Sequence, residues 1–296
     1  MKVYTGEQML QSKGRMILEY GATAVGKTVT TLLTAPAPIL LIQAENRNLE
    51  PTLQCIEKFR PELLNNKGWF DVAVYENFID TMDFLNLHED EISPKRTIIV
   101  DSLTDLMAIK LSQEIQDETY DAKTEEDKKK KQLISQAKLT LEGYGGVAAQ
   151  TIRFTDTIAR YAQNGKYVIL LARLDQNPSW GRHYEFAPLL KGKEYGKDFE
   201  GMFDLIGYVT TRTEAIMDAD GHDTGNEKVS FPPGISFESP DGSFMAKWTG
   251  VGDVKKFKMN WARILGASLD PEPGSVEEKK EPVVKKAKKE SKPKGE

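Results

Sequence analysis

The stretch GATAVGKT, residues 21–28, sets Gly21, Gly26, Lys27 and Thr28 at the spacing G-x-x-x-x-G-K-T. That spacing suits a strand ending in a loop whose backbone N–H groups converge on an anion. Glycine permits the close approach, and the helix that follows presents its positive end. Gly21, Ala22, Thr23, Ala24, Val25, Gly26, Lys27, Thr28 and Val29 form the candidate phosphate cradle. Lys27 is expected to reach the outer phosphates, and the Thr28 hydroxyl to ligate Mg²⁺. ATP and Mg²⁺ are therefore the expected cofactors. A phosphate loop also needs a carboxylate at the end of a neighbouring apolar strand, to hold the metal's water shell. RTIIVD supplies Asp101 for it. The competing role for Asp101 is to cap the next helix, which Ser102 can serve equally well. A second carboxylate, Glu45, follows PILLIQ and would stand at a strand tip beside the phosphate loop.

These groups need a scaffold, and the apolar runs provide one. Residues 15–20, 38–43, 71–75, 96–101 and 166–172 read as buried strands bounded by turn residues. Their continuous apolar character suits a mostly parallel sheet covered on both faces. Helices are expected over 78–90, 102–116 and 147–164; in the last, Val147, Ile152, Phe154, Ile158 and Tyr161 recur at roughly helical spacing. The alternation implies a three-layer α/β domain over residues 1–265. Residues 117–146 interrupt it with a charged insertion, QDETYDAKTEEDKKKKQ, then a helical run and GYGG. Charge runs are usually solvent-facing. Residues 205–250 read as a closing strand and a β-hairpin extension, with a helix near 254–265. Residues 266–296 are rich in Lys, Glu and Pro and are expected to be disordered.

The net charge of −5 excludes a globally basic nucleic-acid binder, so any DNA contact must come from local patches. The single cysteine, Cys55, cannot form an internal disulfide and reads as a small buried hydrophobe in a reducing compartment. No signal peptide or membrane span is evident, which implies a cytoplasmic protein without a membrane partner. The histidines are scattered, and His183 has no cysteine cluster that would make it a metal ligand.

The order GATAVGKT, ILLIQAEN, TIIVDSLTDL resembles the RecA/RadA recombinase core. DSLTDL and FAPLLKGK…FDLIGYV are similar to compact phage-type RecA-like ATPases, the Sak-type single-strand annealing and recombination proteins. The resemblance covers about residues 14–250. It implies a RecA-like three-layer P-loop NTPase core that hydrolyses ATP, with Glu45 as the catalytic base beside Lys27. It puts Arg173 where the family usually carries a polar sensor such as Gln or His; MAKWTG lacks an arginine often found near that point. It makes Lys191, Lys193 or Lys197 a finger reaching a neighbour's γ-phosphate, hence a ring or filament of identical subunits. It also points to GYGG (143–146) and DQNPSWGRHYEF (175–186) as places where single-stranded DNA is gripped. In the second, Trp180 and Tyr184 would stack on bases while Arg182 tracks phosphates. The expected function is an ATPase acting on single-stranded DNA in phage-type recombination, annealing or replication, in a bacterial or archaeal host if phage-encoded. The alternatives are a nucleotide-gated assembly protein that ignores DNA, and a packaging or unwinding motor subunit.

Overall fold

The computed structural model describes residues 14–119, 141–176, 178, 184–190, 199–217, 223–249 and 256–270. Most of the charged insertion, Trp180, Arg182, His183, Lys191, Lys193, Lys197 and the tail beyond residue 270 lie outside the described residues.

Six strands build the parallel part of the sheet: β1 (Arg15–Gly21), β2 (Ile39–Gln43), β3 (Phe70–Val74), β4 (Thr97–Asp101), β5 (Tyr167–Gln176) and β7 (Leu205–Met217). The last of these follows the short β6 (Phe186–Pro188), which folds back antiparallel on β5. Beyond β7 come β8 (Asp223–Ser236), β9 (Lys247–Trp248) and β10 (Lys256–Lys258), all added antiparallel. The order across the sheet is β10-β8-β7-β1-β5-β4-β2-β3.

That order decides where the chemistry goes. β5 lies between β1 and β4, so the phosphate-loop strand and the Asp101 strand are separated by one strand. The parallel register sets Gly21 level with Arg173, and Asp101 level with both Leu171 and Gln43. All four strands therefore end at the same edge. In open α/β sheets, ligands bind outside the carboxyl ends of the strands.

Helices cover both faces because the strands are apolar on both. On one face Ile17, Leu41, Ile99 and Ile169 pack with Leu32 of α1 (Lys27–Thr34) and Ile56 of α2 (Glu50–Phe59). After the short α3 (Glu62–Asn65), α4 (Phe78–Leu87) covers the other face, followed by α5 (Glu89–Ile92). There Leu18, Ile42, Val100 and Leu170 meet Leu85, Phe154 and Ile158, the last two from α8 (Leu141–Gln163). Between them α6 (Leu103–Asp105) runs through a π-helical segment, Leu106–Leu111, into α7 (Ser112–Thr119). No described helix is long and apolar enough to cross a membrane.

Several expectations are corrected. The helix expected over 78–90 breaks at His88, whose φ of −101° and ψ of 45° are not helical. GYGG is no connecting loop: it sits in the first turns of α8, where the helix continues through all three glycines. The helix expected over 254–265 shrinks to α9 (Trp261–Ile264), because Lys256–Lys258 pairs with the end of β8 as an edge strand. Strand 71–75 is not buried but forms the far edge of the sheet, with Val72 and Val74 exposed. Cys55 is half-buried rather than part of the core.

Candidate nucleotide site

Gly21 ends β1, and only glycine fits there. A Cβ on it would meet the Val209 carbonyl oxygen of β7 at 2.4 Å. The chain then turns through Ala24, at φ 63°, and Gly26, at φ 93°, into α1. Left-handed backbone at Gly26 costs little without a Cβ. The result is a loop wrapped over the start of a helix that has no side-chain cap, so its first N–H groups remain available to an anion. Lys27 does not extend outward. Its Nζ donates to the Gly21 and Ala22 carbonyls at 2.8 Å each, and burial lowers its pKa.

Asp101 is 3% exposed and accepts a 2.9 Å hydrogen bond from Thr28 Oγ1. Helix capping falls to Ser102, whose hydroxyl accepts from Asp105 N at 3.2 Å, so the Asp101 carboxylate is left facing the cleft. Burial raises the Asp101 pKa, and the Arg47 guanidinium and Thr28 pull it back. The Asp101 carbonyl oxygen accepts from Ala44 N at 2.8 Å and Glu45 N at 3.1 Å. This clasp carries the strand-end carboxylate to its place. Glu45 pairs with Arg47 Nε at 3.0 Å and lies 3.7 Å from Arg173. Burial, then the Asp101 charge, raise the Glu45 pKa, while Arg47 lowers it. Arg173 itself donates to both carboxylate oxygens of Asp105, at 2.7 and 2.8 Å.

Lys27, Thr28, Glu45, Asp101 and Arg173 thus line a single cleft of about 460 Å³. Tyr184 does not join them; it is half-buried and packs against the core. Three participants were not anticipated from the sequence. Arg47 bridges Glu45, Asp101 and Thr28, and only its place two residues after Glu45 hinted at this. Asp105 holds Arg173, and the S-x-x-D spacing from Ser102 was its signal. Glu19 is the third, and its signal was a charge inside the apolar run RMILEY. It is wholly buried beneath the loop, taking hydrogen bonds from Thr31 Oγ1 at 2.7 Å and Trp261 Nε1 at 3.1 Å. Burial pushes its pKa up to about 8.

The donor set fits a hard divalent cation. A hydroxyl and a carboxylate oxygen lie side by side at the helix start, where Mg²⁺ characteristically shares its shell with water and substrate phosphates. No cluster of three His, Cys, Asp or Glu side chains able to hold a metal occurs among the described residues.

A family model described as an AAA domain matches residues 13–231. No curated protein matches the chain. Among solved structures, a KaiC-like protein from the hyperthermophilic archaeon Pyrococcus horikoshii OT3 superimposes with a TM-score of 0.40. It is 12% identical, over 77% of this chain and 88% of that one.

Proposed function

Because the chain belongs to the AAA-domain family and is a P-loop ATPase, we propose that it acts as a RecA-type enzyme on single-stranded DNA, in annealing, recombination or replication of the phage Sak type. In this reading the loop N–H groups and Lys27 hold the outer phosphates of ATP, Lys27 giving up its carbonyl bonds to do so. Thr28 and Asp101 would hold Mg²⁺, which would neutralise charge on the phosphate oxygens. Glu45 orients and deprotonates the attacking water. A carboxylate whose pKa is raised by burial and a like charge is the better proton acceptor near neutral pH. Lys191, Lys193 or Lys197 completes the site of a neighbouring copy.

One observation carries the DNA reading. Arg173 lies on β5, bonded to Asp105 and close to Glu45, and three residues later β5 ends at Gln176. The chain returns as β6, with Gln176 level with Phe186. In sequence, the segment between them contains Trp180 and Arg182, and the strand from which it departs carries Arg173 beside Glu45. Stacking aromatics and phosphate-tracking cations are what sequence-tolerant single-strand binding uses. The test is ATP turnover with and without an oligonucleotide of mixed sequence. Stimulation by single strands and not by duplex is expected. Turnover indifferent to DNA would favour a nucleotide-gated assembly protein.

A further inference from the structure

Arg47 stands where a divalent cation would have to go. Its Nη2 donates to Thr28 Oγ1 at 2.7 Å and also contacts Asp101 Oδ2, while its Nε pairs with Glu45 Oε2 at 3.0 Å. The first two oxygens are those that fit the metal, and the third belongs to the proposed base. A metal–oxygen distance of about 2.0–2.1 Å at Thr28 leaves no room for a second cation hydrogen-bonded to the same atoms. We propose that Arg47 is a resident counter-ion that fills the metal position of the unloaded site and is displaced when metal and nucleotide seat. This rests on the reading of the cleft as a metal–nucleotide site.

The surroundings show how the exchange can happen. The backbone around Arg47 is fastened: Ala44 N and Glu45 N donate to the Asp101 carbonyl. Gln43 Nε2 donates to the Glu45 and Arg47 carbonyls at 3.1 and 2.8 Å, and Lys110 Nζ holds Asn46 Oδ1 at 2.7 Å. The Arg47 side chain, by contrast, keeps 38% of its surface exposed. It can leave by side-chain rotation, with no unfolding of the loop. While it stays, Asp101 and Glu45 are not left as unpaired, partly desolvated carboxylates, which would be costly. When it leaves, it frees the metal oxygens and removes an ion-pair partner from Glu45 in one movement. Loading and activation of the base become a single event.

The competition has a measurable sign, because an occupant of the binding position reduces apparent affinity by the fraction of sites it blocks. The full chain, Arg47→Ala and Arg47→Gln are compared for binding of Mn²⁺ with a slowly hydrolysed ATP analogue. Mn²⁺ is followed by electron paramagnetic resonance and the analogue by fluorescence. Both variants should bind the metal–analogue pair at least roughly tenfold more tightly than wild type. Mn²⁺ alone should also raise the melting temperature of both variants more than that of wild type. If Arg47→Ala does not fold, Arg47→Gln, which keeps length and hydrogen bonding without the charge, carries the comparison. Binding by wild type with equal or weaker binding by the variants would overturn the counter-ion role and leave the site intact. Failure of wild type to bind the pair at all would remove the site reading itself, and this inference with it.

Discussion

Lys27 and Glu45 occupy the same cleft, yet their replacement should fail in different ways. Lys27 supplies a cation at the phosphate loop, where its Nζ spans the Gly21 and Ala22 carbonyls. Lys27→Ala should therefore weaken ATP binding and cut turnover by at least about 100-fold, the scale expected when a fixed charge stabiliser is lost. Steady-state turnover and equilibrium binding of a fluorescent ATP analogue measure the two effects; wild-type turnover in the variant would remove Lys27 from the mechanism. Glu45→Gln keeps the shape of the side chain and can still face Arg47 and Arg173, so nucleotide binding should survive. Without the base, turnover should fall by roughly 100-fold or more. A variant trapped with unhydrolysed ATP after rapid filtration is the expected finding. Normal hydrolysis by it would place the base elsewhere.

At the scale of elements, Glu19 ties together three parts that meet beneath the phosphate loop. It sits on β1, accepts from Thr31 of α1, and accepts from Trp261 of α9, whose backbone N–H also donates to Thr34 Oγ1 at 3.1 Å. Its Oε1 is buried without a hydrogen-bond partner, an arrangement that favours the protonated acid. With a folded pKa of about 8 against an ordinary value of 4.5, the folded chain holds a proton that the unfolded chain releases. The stabilisation is fully present below pH 4.5 and is lost as pH rises toward 8. Unfolding free energy should accordingly decline over that window, by up to about 1.4 kcal/mol per pH unit where the difference in bound protons is greatest. Glu19→Gln, neutral at every pH, should flatten the decline and be more stable than wild type above pH 8. Urea denaturation across that range checks it; parallel curves for the two proteins would mean that Glu19 titrates normally.

For the whole molecule, the open question is what the ATP cycle acts upon. The DNA reading assigns stacking and phosphate contact to Trp180 and Arg182, between β5 and β6. Replacing both with Ala should lower single-strand affinity at least roughly tenfold, since stacking alone is worth about 1–3 kcal/mol per base. Wild-type binding should weaken steeply as salt rises, and the variant should show a shallower dependence. Binding of ATP should be unaffected. Fluorescence anisotropy with a labelled oligonucleotide reads both quantities. Equal binding by wild type and variant would move the DNA contact to another surface.

The phosphate loop, the strand-end carboxylates and the alternating α/β texture are legible in the sequence, because each is written in short-range spacing. Gly21 through Thr28 is a local conformation, and apolar runs such as TIIV declare burial wherever they lie. The order of the strands was not legible in this way. That β5 inserts between β1 and β4, and so delivers Arg173 to the cleft, depends on pairings between residues far apart along the chain, such as Arg15 with Tyr167 and Thr97 with Tyr167. The helix glycines show the limit of local reading: GYGG reads as a turn, whereas it lies within the first turns of α8. Arg47 shows the same division. Its type and position were plain, but only the folded sheet brings Thr28, Glu45 and Asp101 within reach of one guanidinium, because three separate segments must converge before that charge has anything to bridge.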